Sequence, residues 1–177
     1  KDSKECFEFA LSIGCPVSTN QLCLAASKND CQVLETLIKR GALWSTEVCS
    51  NAARNGHLNI LKYAKEHSLE WDFTTCLEAA CNNKIECLKF AVNNGCPVDL
   101  ETSNGAAQTG NLECLIFLIE NGSPMNQKTI DGALKNREKE CFQYLMTMGC
   151  PMYKSTRKKA IKKGYLAEVW LQLHKKN

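Results

Sequence analysis

The chain is poor in the features that mark several protein classes. It has four prolines and ten glycines in 177 residues, which excludes collagen-like and low-complexity chains. No apolar run approaches the roughly 18 residues that a membrane-spanning helix needs, so no membrane insertion is expected. The opening Lys1-Asp2-Ser3-Lys4-Glu5 lacks the apolar stretch of a secretory signal. It also lacks an initiator methionine, so the sequence is expected to be part of a longer chain or a larger assembly. Common catalytic signatures are missing: there is no G-x-x-x-x-G-K-[ST], no G-x-G-x-x-G after a strand, no H-E-x-x-H and no G-x-S-x-G. There is no C-x-x-C, and His57, His67 and His174 fall in unrelated positions. No enzyme activity, no metal and no cofactor are expected.

Cysteine and basic charge at one end are what the chain has in excess. The net charge is +3, but residues 1–149 sum to −4 and residues 150–177 to +7. Twelve cysteines would suggest a disulfide scaffold in a small secreted protein, and an internal repeat argues otherwise. Gly14, Gly41, Gly95, Gly122 and Gly149 are separated by 27 residues or a multiple of it, with Ser68 at the sixth place. The third residue after each is apolar: Val17, Trp44, Trp71, Val98, Met125 and Met152. Helix N-cap candidates follow at Ser18, Ser45, Asp72, Asp99 and Asn126, with Tyr153 as the exception. Seven residues later every unit has an alanine: Ala25, Ala52, Ala79, Ala106, Ala133 and Ala160. The next position holds Ala26, Ala53, Ala80, Ala107, Leu134 and Ile161. Asn29, Gly56, Asn83, Gly110 and Gly164 then close this first helix, and Arg137 departs from the pattern.

A second apolar pattern follows at helical spacing, as in Ile60-Leu61-x-Tyr63-Ala64 and Cys114-Leu115-x-Phe117-Leu118-Ile119. Each unit therefore predicts a helix–turn–helix. The alanine pair permits close approach of neighbouring first helices, and the bulkier second helix packs behind. One such unit cannot bury its own apolar face, so the units stack. The expected architecture is an all-α solenoid forming a single domain over residues 1–177. It comprises a half repeat at 1–14 and repeats at 15–41, 42–68, 69–95, 96–122, 123–149 and 150–176. At about 8–10 Å per unit the rod would be roughly 50–60 Å long.

Asn55-Gly56-His57-Leu58-Asn59-Ile60-Leu61, Thr109-Gly110-Asn111-Leu112-Glu113-Cys114-Leu115 and Asn121-Gly122-Ser123-Pro124-Met125-Asn126 resemble ankyrin repeats. The turn Asn94-Gly95-Cys96-Pro97-Val98-Asp99 is similar to that of the short form abundant in giant viruses and protists. The usual repeat has 33 residues and a T-P-L-H stretch. This chain has 27-residue units and no T-P-L-H, although threonine recurs at Thr75, Thr102, Thr129 and Thr156. The missing residues are those of the projecting β-hairpin finger, so the resemblance implies absent or much reduced fingers. It also implies binding on the concave helix face.

Equivalent cysteines in stacked units stand about 10 Å apart, beyond the roughly 7 Å limit for a disulfide. This holds for Cys87, Cys114 and Cys141 (with Cys6), for Cys15, Cys96 and Cys150, and for Cys49 with Cys76. They are expected as reduced core residues in an intracellular protein of cytoplasm or nucleus, in the host cell if viral. His57 is expected to bond locally in its turn. Trp44 and Trp71 are expected in the core between turns.

The expected function is a non-catalytic protein–protein interaction scaffold that binds a protein partner of unknown identity through the concave face. The resemblance places the residues after the alanine pair in that groove, including Arg54, Cys81, Gln108 and Lys135. Residues just after the N-cap line the same side, where Phe73 and Leu100 are apolar in an otherwise polar column. Lys154, Arg157, Lys158, Lys159, Lys162 and Lys163 form a basic patch on the first helix of the last unit. That helix reads as a polar capping repeat. The alternative is nucleic-acid or acidic-partner binding, with Tyr153, Tyr165 and Trp170 as a thin supply of stacking aromatics. A further alternative is the substrate-targeting arm of a larger ubiquitin-ligase adaptor or host-directed effector.

Overall fold

The computed structural model describes residues 14–165. The leading half repeat before Gly14, with Cys6, lies outside these residues, as do Glu168, Trp170, His174, Lys175 and Lys176. The helices are α1 (Thr19–Ser27), α2 (Cys31–Lys39), α3 (Thr46–Asn55), α4 (Leu58–Glu66), α5 (Phe73–Cys81), α6 (Ile85–Asn93), α7 (Leu100–Thr109), α8 (Leu112–Glu120), α9 (Gln127–Asn136), α10 (Lys139–Thr147) and α11 (Lys154–Lys162). Among the described residues there is no strand, and the turns carry no hairpin finger. The fold is an all-α solenoid of helix pairs.

Helices of nine or ten residues are too short to stand alone in water. Stacking supplies what propensity cannot. From α1 to α9 the odd-numbered helices pack on one another more extensively than the even-numbered ones do, and α11 packs less closely on α9. Their alanines explain this: Ala26, Ala52, Ala53, Ala79, Ala80, Ala106 and Ala107 have no exposed surface. The odd helices thus form one closely packed row on one face of the stack. Behind them Leu34, Leu37, Ile60, Leu61, Leu88, Leu115, Phe142 and Leu145 fill the core from the even helices. Phe142 meets the ring of Tyr165 edge-on at 5.5 Å.

Both turns of each unit use the left-handed region. After the odd helices φ is 59° at Asn29, 81° at Gly56, 55° at Asn83, 75° at Gly110, 70° at Arg137 and 76° at Gly164. Arg137, the departure in sequence, keeps the conformation of its glycine and asparagine counterparts. Ser68 does the same after α4, with φ 53°. The following N–H then closes on the first alanine of the pair: His57 to Ala52, Lys84 to Ala79, Asn111 to Ala106 and Glu138 to Ala133, all at 2.8–3.0 Å.

The N-caps divide. Asp99 accepts from the Thr102 N–H at 3.0 Å, and Asn126 from Lys128 at 2.8 Å. Asp72 accepts from Thr74 at 3.0 Å. Ser45, expected as a cap, has the right extended backbone but makes no cap hydrogen bond, and its hydroxyl is buried without a partner.

Candidate protein-binding face

An odd helix presents its columns in a fixed order. Two of the recurrent threonines bond back to the preceding unit, Thr129 donating to Asn104 Oδ1 at 2.7 Å and Thr156 to Asp131 Oδ1 at 2.5 Å, whereas Thr102 donates to Asp99 of its own unit. Thr75, Thr102 and Thr129 are fully buried, so the threonine column belongs to the stack. The first helical residue points forward. Thr19 Oγ1 donates to the Leu43 carbonyl at 2.9 Å, and Thr46 Oγ1 to Asp72 Oδ2 at 2.8 Å. Gln127 accepts from the Tyr153 N–H at 2.6 Å and donates to Thr156 at 2.7 Å. Phe73 and Leu100 occupy this same forward column. Phe73 is 40% exposed and Leu100 is half-buried. They sit at the edge of the odd-helix face, about 80° around the helix from the residue that follows the alanine pair.

That following residue forms a stripe, exposed at Arg54, Gln108, Lys135 and Lys162 and half-buried at Ser27 and Cys81. The structure thus aligns Arg54, Cys81, Gln108 and Lys135 and sets Phe73 and Leu100 apart from them. Arg54 is not a free cation. It grips Glu78 of the next unit with Nε at 2.8 Å and a terminal nitrogen at 2.7 Å. The hydrogen bond from Arg54 holds the Glu78 carboxyl below the usual carboxylate range. Cys81 is half-buried, and loss of water pushes its thiol up. Its sulfur lies over Gly105, as Gln108 lies over Gly132 in the following unit. These two glycines lower the floor of the face. The second opens a groove of about 320 Å³ lined by Gln108, Lys128, Asp131, Gly132, Lys135 and Asn136.

The basic patch is less uniform than its sequence. Lys154, Arg157, Lys158, Lys159, Lys162 and Lys163 are all exposed. Lys163 is committed to the fold, because its Nζ donates to the Leu134 carbonyl at 2.7 Å. Arg157 occupies the column of Ile130 and Cys76, which are buried elsewhere in the stack. Lys158, Lys159 and Lys162 continue the columns of Asp131, Gly132 and Lys135.

One expectation needs correction. His57 does not bond within its turn: its Nε2 lies 2.8 Å from the carbonyl of Ser27, in the preceding unit. Since a carbonyl only accepts, His57 carries its proton on Nε2 and donates. Asn111, in the same column, donates to Ala80 and Cys81 carbonyls at 2.7 and 2.9 Å. Asn136 donates to Gln108 at 2.8 Å from a different column. These bonds reach carbonyls at the ends of odd helices, where intrahelical donors run out. The tryptophans are half-buried at the turn edge: Trp44 donates to the Glu70 carbonyl at 2.9 Å, and Lys65 Nζ lies 5.8 Å from the Trp71 ring.

The eleven described cysteines are free thiols, and among the described residues no group of three His, Cys, Asp or Glu side chains could hold a metal. Burial pushes the Cys49 and Cys141 thiols up to about 12. No helix of the described residues is long and apolar enough to cross a membrane.

Neither the family models nor the curated proteins compared with the sequence give a match. Solved structures do. The ankyrin repeat domain of human ASB11, a crystal structure, superposes with a TM-score of 0.62 at 20% identity, over 73% of this chain and 69% of that one. The chain therefore has the ankyrin-repeat fold, with units of 27 residues and no strand among the described residues.

Proposed function

We propose that the chain is a non-catalytic scaffold that holds a protein partner against the odd-helix face. One observation carries this reading. The first alanine column keeps one residue type in all six units and is buried in each, whereas the stripe two positions on changes in nearly every unit. The stripe reads Ser27, Arg54, Cys81, Gln108, Lys135 and Lys162, so no single side chain is required there from unit to unit. A rigid support with unconstrained side chains is what partner-specific recognition requires. The grooves on it are open and shallow, suited to a protein surface and poor at excluding water from a reaction. Arg54, Cys81, Gln108 and Lys135 form the stripe, and Phe73 and Leu100 extend its edge.

The test is a crosslinking pull-down from source-cell lysate at moderate and high salt. The bait is the intact chain, a Gln108→Ala/Lys135→Ala variant or a Phe73→Ala/Leu100→Ala variant, each checked for helicity. A protein retained at high salt and lost with either pair supports the reading. Recovery unchanged in both variants, or nucleic acid alone that vanishes at high salt, overturns it.

A further inference from the structure

The groove between α7 and α9 runs into lysines. Its columns at Asp131, Gly132 and Lys135 become Lys158, Lys159 and Lys162 on α11. Within the groove, the Asp131 carboxylate already accepts from Thr156, and the Asn136 amide is spent on the Gln108 carbonyl. Lys128, Lys135, Lys158, Lys159 and Lys162 are exposed and join no ion pair among the described residues. Two cations elsewhere are paired: Arg54 with Glu78, and Lys89 with Glu86 and Glu113. One end of the face is thus an open groove bordered by unmatched positive charge.

A polar end to the stack does not account for this arrangement. Lys163 caps a helix end and so serves the stack, and Arg157, though exposed, stands in a column that is buried at Ile130 and Cys76. Lys158, Lys159 and Lys162 stand in the columns of the groove.

We infer that the groove and its lysine extension bind an extended acidic segment of a protein partner. This rests on the scaffold reading above and names the chemistry of the partner. Neighbouring odd helices are about 8–10 Å apart, and an extended chain advances about 3.3 Å per residue. Carboxylates about three residues apart therefore meet Lys128 and Lys135 first, then Lys158, Lys159 and Lys162. A peptide suits the site better than nucleic acid. The Gln108 side chain on the floor can bond main-chain amides, and no aromatic ring lines the groove for a base to stack on.

Fluorescence anisotropy on the full chain tests this. The probes are a labelled peptide with glutamate at every third position among glycine and serine, its glutamine counterpart, and a single-stranded oligothymidine of equal charge. Lys158→Gln/Lys159→Gln/Lys162→Gln, with helicity verified, should weaken the glutamate peptide roughly tenfold or more. Arg157→Gln should change it less than about twofold. The inference is overturned by failure of the glutamate peptide to bind, by equal binding of the glutamine peptide, by tighter binding of oligothymidine, or by equal losses in the two variants. In the pull-down, a partner lost with Gln108→Ala/Lys135→Ala but kept by the lysine-to-glutamine triple would leave the scaffold reading standing and refute this inference alone.

Discussion

Arg137→Gly should stabilise the array. Arg137 sits at φ 70°, ψ 27°, where its counterparts are Asn29, Gly56, Asn83, Gly110 and Gly164. A residue with a Cβ is disfavoured there by about 1–2 kcal/mol. Glycine returns about 0.5–1 kcal/mol of that through its freer unfolded chain, leaving a net gain of roughly 0.5–1 kcal/mol. The side chain forfeits nothing in exchange: it is exposed and makes no hydrogen bond or ion pair among the described residues. For a domain of this size the gain corresponds to a rise in Tm of about 1–4 °C. Because stacked units can open piecemeal, the urea midpoint should be read together with amide exchange in α9 and α10. Gly110→Ala is the converse. It places a Cβ at φ 75° and against the Glu138 carboxylate, so the midpoint should fall by the equivalent of about 1–2 kcal/mol. A lower midpoint for Arg137→Gly, or an unchanged one for Gly110→Ala, would refute the claim that the stack enforces this turn.

His57→Ala removes the donor to the Ser27 carbonyl and should cost about 1–2 kcal/mol; unchanged amide exchange at the end of α1 would exclude that bond as a tie between units. Acid should destabilise the array through Asp72 and Glu78. Burial pushes the Asp72 carboxyl up, but hydrogen bonds from Thr74 and Thr46 outweigh it and hold the group low; Arg54 holds Glu78 low. A carboxyl whose folded pKa is depressed stabilises the fold above its unfolded value, near pH 4, and loses that contribution as pH falls through the folded pKa. The urea midpoint should therefore fall below about pH 4, and less steeply in Arg54→Gln, whose exposed pair is also weakened by salt. A flat profile in that window would contradict the carboxylate assignment.

The period of 27 was legible because its signals are local necessities repeated in each unit. A left-handed turn wants Gly or Asn, a close helix contact wants Ala, and an orphaned N–H wants Asp, Asn or Ser. The ties between units were not legible. His57 and Asn111 come from one column, Asn136 and Lys163 from another, and Thr19, Thr46 and Gln127 from a third. Their partners are 24–31 residues away and share no sequence pattern. The apolar pair Phe73 and Leu100 was visible, but nothing in the sequence says that its column points forward into the next turn. The basic end was visible as five lysines and Arg157, and only the geometry separates Lys163, bonded to the Leu134 carbonyl, from the rest.

The exceptions in the repeat show why such a stripe can vary at all. Ser68 and Arg137 hold a conformation that their side chains disfavour, and Ser45 starts a helix without capping it. In each case the neighbouring units impose the local structure against the residue's own preference. If stacking can absorb a misplaced arginine or an unmade cap, it can absorb any polar side chain in a column that touches no neighbour. Lys135 and Lys162, exposed and joining no ion pair among the described residues, are such positions, and their side chains carry little consequence for folding. What they record is then a demand from outside the chain, and the unmatched lysines beside the Gly132 groove give that demand a sign.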